Sequence, residues 1–298
     1  MATWELRGIV PPMVTPLHAD ETVDEAGLER QLERLVRAGV HGLFFLGSTG
    51  EQPSLRDEER RKAIRAAHRA NARRVPLIVG TMASSTARTI DQIREAEAGG
   101  ADAVAVTPPY YYPTNGPEEQ LAHYRACAAA TALPVIVYNI PSTTKVQLAP
   151  ETIARIAEFE RVIGVKDSSA DFVHFLRVLS LVRGRPGFGV MVGTPPLAGA
   201  AVLYGAAGAV PGVANLDPRT MLEVYAAAVA GDTARLIDLQ ERVHQLMAIA
   251  RLGAPPVCFK TALEMMGVCG PHAARPFQPL GEEARRKLAS LLEELELL

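Results

Sequence analysis

The chain has 298 residues, 48% of them hydrophobic and 21% charged, which is enough apolar material for a large core and excludes both disorder and a disulfide-stapled miniature. With 31 Lys and Arg against 33 Asp and Glu, the formal net charge is −2, which excludes the basic footprint of a nucleic-acid binder. Length alone fits two ordinary domains or one large barrel.

Short apolar runs, rich in Val and Ile, recur along the chain at 8–14, 42–47, 75–80, 103–107, 135–139, 162–166, 189–193 and 209–213. They are apolar nearly throughout rather than alternating, as parallel strands buried on both faces are. Amphipathic segments separate them. Residues 25–38 put Leu28, Leu32, Leu35 and Val36 on one stripe, with Asp24 as N-cap and Gly39 as C-cap. The segments 55–72, 87–98, 117–130, 150–157, 172–182, 195–204 and 218–230 read as helices in the same way, several with Pro at the first turn. The stretch 187–216 has no charge, but its glycines and prolines interrupt any membrane helix, so it reads as buried strand, helix and strand.

Eight strand–helix pairs within residues 1–230 predict an α/β fold of the (β/α)8 TIM-barrel type. The alternative, a doubly wound open sheet, lacks the Gly-rich turn after its first strand. Residues 231–298 contain no strand-like run and read as a C-terminal three-helix appendix, with helices over 233–251, 256–266 and 281–296.

Cys127, Cys258 and Cys269 are odd in number and lack metal-ligand spacing, which suggests a reducing compartment and no metal. Residues 1–7 show no signal-peptide core, so a cytoplasmic protein is expected.

In a barrel of this type the reactive groups lie at the C-terminal ends of the strands. Only five of the basic residues are lysine, at 62, 145, 166, 260 and 287, and Lys166 is the one at such a strand end. Desolvation there lowers the pKa of an amine and makes it a Schiff-base nucleophile; the bland alternative is an ion pair with Asp167 or Glu51. Tyr138 ends the neighbouring strand, where its phenol can pass a proton, or simply be buried with one hydrogen bond. The turn Gly47-Ser48-Thr49-Gly50-Glu51 offers hydroxyls and backbone N–H groups to a carboxylate or a phosphate. The run Tyr110-Tyr111-Tyr112 follows strand four, where loop packing or a subunit contact is its ordinary use.

In combination, Gly-Ser-Thr-Gly-Glu at 47–51, Tyr-Asn-Ile-Pro at 138–141 and Gly-Val-Lys-Asp-Ser-Ser at 164–169 resemble the pyruvate-dependent class I aldolase family that contains dihydrodipicolinate synthase and N-acetylneuraminate lyase. The resemblance runs from the opening Gly8-Ile9-Val10-Pro11-Pro12 to Lys260-Thr261-Ala262-Leu263. It implies that Lys166 forms an imine with pyruvate or another 2-keto acid and that Ser48 and Thr49 hold its carboxylate. Tyr138 is then the proton shuttle, with Thr49 and Tyr110 completing a relay; a slipped match selects Tyr111. Gly193 and Val210 match pocket-lining positions. The resemblance further implies no cofactor, an aldehyde as second substrate, and a homotetramer built as a dimer of dimers whose relay tyrosine crosses to a partner subunit. Where the synthase has an arginine for its second substrate, this chain has Thr143, and after strand seven it has Thr194-Pro195-Pro196 rather than the acidic residues of the lyase. A 2-keto-3-deoxy-sugar-acid aldolase is therefore expected ahead of the synthase reaction, with a catalytically silent 2-keto-acid-binding paralogue as the non-enzymatic alternative.

Overall fold

The computed structural model describes residues 5–112, 114 and 116–298, so the amino-terminal residues read for a leader lie in part outside the described residues, as does Pro113. Eight parallel strands are present: β1 (Gly8–Ile9), β2 (Leu43–Phe45), β3 (Leu77–Thr81), β4 (Ala103–Val106), β5 (Val135–Asn139), β6 (Val162–Asp167), β7 (Gly189–Val192) and β8 (Gly208–Ala209). Their order is β1-β8-β7-β6-β5-β4-β3-β2. Beyond the end of β1, Pro12 bridges Phe44 of β2, Phe44 N–H donates to Pro11 O, and Met13 N–H donates to Phe44 O, both at 2.9 Å. The result is a TIM-barrel-like α/β fold.

Helices α1 (Glu25–Ala38), α2 (Asp57–Asn71), α3 (Thr86–Ala98), α4 (Pro117–Ala129), α5 (Pro141–Thr144), α6 (Pro150–Ile156), α7 (Phe172–Val182), α8 (Ala198–Leu203) and α9 (Pro218–Ala230) follow the strands. Three more, α10 (Thr233–Ala250), α11 (Pro255–Met265) and α12 (Glu282–Glu294), complete the chain, each packed on its neighbour in sequence. The start and stop signals act locally. Asp24 accepts from Gly27 N–H, Gly39 takes the left-handed conformation at φ +90°, and Leu28, Leu32 and Leu35 are fully buried.

Alternation along the strands builds two cores. Val104, Val106, Val135 and Val137 pack outward against the helices, whereas Ala103, Ala105, Ile136 and Tyr138 pack inward with Phe44, Met191 and Val210. The first and last strands are shorter than their apolar runs. Pro11, Pro12 and Pro211 lack N–H groups and cannot donate to a ladder, so the regular strands end before them although Pro11 O and the Pro12 bridge still reach β2, and a 3-10 turn over Gly212–Asn215 replaces the expected end of the last strand. The segment 195–204 likewise begins as a 3-10 turn, Pro195–Leu197, before α8. Among the described residues no single helix is long and apolar enough to cross a membrane.

Candidate active site

The register of β5 on β6 sets Tyr138 beside Lys166, and that of β6 on β7 sets Lys166 beside Met191. Tyr138 and Met191 both belong to the inner cluster, so Lys166 shares the inward face near the C-terminal end of its strand. Its Nζ lies 4.0 Å from the Tyr138 ring centroid and 4.4 Å from that of Phe44. At 5% exposure the amine is buried, and desolvation holds its pKa well below the ordinary lysine value. The two ring faces favour the ammonium form and so oppose that depression.

The ion pairs considered from sequence do not form. Glu51 pairs with Lys260, and Asp167 Oδ2 faces His174 Nε2 at 3.1 Å, although their angle is too poor for a hydrogen bond. Among the described residues Lys166 has no carboxylate partner, which leaves a desolvated, uncompensated amine at the inner end of a strand.

Tyr138 is buried, and burial pushes its phenol up to about 12, while hydrogen bonds with Ser48 and Ser168 pull it down. Its hydroxyl stands 3.3 Å from Ser48 Oγ, at the turn after β2. Thr49, the residue expected to continue a relay, makes no hydrogen bond to Tyr138; its Oγ1 lies near Gly212, 3.9 Å from where a Cβ there would sit. Ser48 and Thr49 are thus both at the strand end but face different groups.

Val210 is buried in the inner cluster, with its N–H donating to Val192 O at 2.8 Å. Gly193 N–H donates to Asp167 O at 2.7 Å, and a Cβ on Gly193 would collide with Ser168 Oγ, so glycine there leaves room for the hydroxyl beside Tyr138. Tyr110 is half-buried against the inner cluster. Tyr111 is the opposite: 81% exposed, with a left-handed φ of +79° that is costly for a bulky residue. Thr143 is exposed on α5, and the nearby Lys145 turns its ammonium back onto Ser142 O at 2.6 Å.

Sequence reasoning had not assigned roles to Phe44, Ser168 or His174, which crowd this strand end. Strand parity makes Phe44 and Ser168 candidates, but nothing in the spacing brings His174 of α7 to Asp167. Among the described residues no group of three or more His, Cys, Asp or Glu is placed to hold a metal ion.

The model of the dihydrodipicolinate synthetase family matches residues 5–295. A 4-hydroxy-tetrahydrodipicolinate synthase from Phenylobacterium zucineum is 33% identical over 296 residues, 98% of each chain. A DapA-like lyase of uncharacterized function from Halobacterium salinarum is 37% identical over 293 residues, 98% of this chain and 95% of its own. Among solved structures, dihydrodipicolinate synthase from Bacteroides thetaiotaomicron superposes with a TM-score of 0.93 at 38% identity, covering 97% of this chain and 98% of its own. A prophage protein of the dihydrodipicolinic acid synthase family from E. coli K12, solved with pyruvate, gives 0.93 at 31% identity over 98% and 99%. The chain therefore belongs to the dihydrodipicolinate synthetase family and is a pyruvate-dependent lyase of the class I aldolase type.

Proposed function

We propose that this enzyme joins pyruvate to an aldehyde, or cleaves the corresponding 2-keto acid, through an imine on Lys166, and that its second substrate is an uncharged polyhydroxy aldehyde, which makes the condensed 2-keto acid a 2-keto-3-deoxy sugar acid. The observation that carries the reading is the buried Lys166 amine, unpaired and flanked by the Tyr138 ring. A neutral amine attacks the keto carbon, and the carbinolamine loses water to give the imine. Loss of a C3 proton then gives an enamine, whose carbon forms the new bond to the aldehyde; cleavage runs the same steps in reverse. Tyr138, protonated across the working pH range, gives and retrieves the proton on the departing or forming oxygen. Its hydroxyl contact makes Ser48 the next member of the relay, ahead of Thr49. The turn 47–50 would hold the pyruvate carboxylate, with Thr49, Gly193 and Val210 shaping that pocket.

Thr143 supports the uncharged second substrate, because the one lysine near it is engaged with Ser142 O. The synthase reaction with aspartate semialdehyde is the second reading, and the names of several relatives favour it. We further assign residues 1–230 to a catalytic barrel and 231–298 to a helical appendix of a cytoplasmic protein that needs neither metal nor organic cofactor. The assembly we propose is a homotetramer built as a dimer of dimers. Tyr111, rather than Tyr110, fits the relay tyrosine offered to a partner subunit, since it stands outward on strained backbone.

Borohydride trapping with pyruvate, read by mass spectrometry, tests the chemistry: the expected result is one adduct on Lys166, absent in Lys166→Ala. No adduct on the folded parent would return the chain to a silent 2-keto-acid binder. A panel of aldehydes with pyruvate then separates the two enzymatic readings. Uncharged polyhydroxy aldehydes should outpace aspartate semialdehyde, and the reverse order would establish the synthase.

A further inference from the structure

Of the five lysines, Lys166 and Lys260 are the two that are buried, and the proposed chemistry uses only the first. Lys260 is wholly enclosed on α11, and its ammonium pairs with Glu51 while donating to His272 O at 2.8 Å. Glu51, itself 2% exposed, accepts from Ala274 N–H through its other oxygen at 2.7 Å. Two buried charges are thus joined as an ion pair and tied to the backbone of one C-terminal loop. An apolar pair of the same size would fill such a space at less desolvation cost, so stability alone is a poor reason for these charges.

The place of Glu51 supplies another reason. It is the last residue of the turn that begins at Gly47, with Gly50 N–H donating to Gly47 O at 3.0 Å and Glu51 N–H donating to Ser48 O at 3.1 Å. Its backbone is left-handed, φ +58°, a conformation that a non-glycine residue holds only when its surroundings impose it. Ser48 reaches inward to Tyr138 from the same turn, while Glu51 reaches outward to α11. The neighbouring residue Phe259 lies against Gly212, 3.2 Å from where a Cβ there would sit, on the side where Thr49 Oγ1 stands. One turn of α11 therefore touches both ends of the space between the 47–51 turn and the segment after β8.

We propose that Lys260 and Glu51 are positioning residues for substrate binding: the buried pair fixes the 47–51 turn, so the C-terminal helix α11 sets where the Ser48 and Thr49 donors meet the 2-keto-acid carboxylate. The inference rests on that turn being the carboxylate site. Displacing donors by a fraction of an ångström weakens ground-state binding before it touches the chemistry at Lys166, which stands on a different strand.

The test compares the parent with Glu51→Gln and with the double variant Lys260→Met/Glu51→Gln. Gln keeps an acceptor for Ala274 N–H, and the double variant leaves no buried unpaired charge, so at least one is expected to fold. In the folded variants KM for pyruvate should rise about tenfold while kcat falls much less, and the imine trapped by borohydride should need correspondingly more pyruvate. An unchanged KM in a variant that melts lower would make the pair purely structural and overturn the inference, as would the failure of both variants to fold. Trapping on the unaltered enzyme keeps the two ideas apart: no adduct there sinks the proposed imine, whereas an adduct with parental pyruvate dependence in the variants sinks only the positioning role.

Discussion

In the proposed mechanism, Lys166 opposes stability to function within one side chain. Burial lowers its pKa, so between the folded value and the ordinary one near 10.5 the unfolded chain binds more protons than the native one. Stability contributed at this site therefore rises with pH through that window, and the penalty is largest at neutral and acidic pH, where the amine is charged in the unfolded chain. Lys166→Met should abolish turnover and raise Tm at pH 7, because it removes the desolvation penalty of the amine. The Tm gap should close as pH approaches 10.5; a variant that melts lower than the parent at every pH would show that the amine is stabilising where it sits. Tyr138 poses a different problem. A phenol pushed up to about 12 stays protonated at any physiological pH, so it can donate without first ionising. Tyr138→Phe should lower kcat by about 10²–10⁴ while leaving the pyruvate adduct detectable, the loss expected when a general acid–base group is removed. Parental kcat in that variant would remove Tyr138 from the relay.

At the scale of elements, the outer layer carries an acid sensitivity unrelated to catalysis. His123 of α4 sits behind β4, with its ring nitrogens 3.0 Å from Thr107 O and from Thr86 Oγ1, contacts that one neutral tautomer satisfies: Nε2–H donates and Nδ1 accepts. Burial lowers its pKa from 6.5 to about 4. Between those values the unfolded chain takes up a proton that the native chain refuses, so stability present above pH 6.5 is lost as the pH falls. The span corresponds to roughly 3 kcal/mol, and His123→Gln should flatten the fall in denaturant midpoint between pH 6.5 and 4. An unchanged pH profile in that variant would locate the acid sensitivity elsewhere. Elements also show what was legible in the chain. The helix α1 was readable to its caps, because Asp24 and Gly39 act on their nearest neighbours. The apolar runs read as the first and last strands extend past β1 and β8, since they continue through prolines that cannot donate to a ladder. The helix α5 was missed, as four residues carry no periodicity.

For the whole molecule the question is assembly. Val173 is 79% exposed and Tyr204 64%, and Leu203 is also exposed, while the Phe172 and Tyr204 rings meet edge to face at 5.8 Å. This apolar face on α7 and α8 and the outward Tyr111–Tyr112 pair give two separate surfaces, as a dimer of dimers requires. A charge at the centre of one should break one interface only. If the proposed tetramer forms, Val173→Asp should shift the native mass from tetramer toward dimer with the fold retained, as measured by light scattering; a parent that is monomeric would refute the assembly itself.

The sequence by itself determined the parallel strand–helix repeat and the placement of Lys166 and Tyr138 near the ends of neighbouring strands. Those features are local: burial on both faces, period-2 alternation and capping are written within a few residues of where they act. Only the tertiary structure decided that Glu51 turns away from Lys166 to meet Lys260, that Ser48 rather than Thr49 touches Tyr138, and that Phe44 lies over the amine. Each joins residues far apart in the chain, and which of several possible partners a buried charge takes depends on register and packing rather than on spacing. The near-neutral composition and its few lysines pointed to a small-molecule enzyme; packing showed which two of those lysines are enclosed.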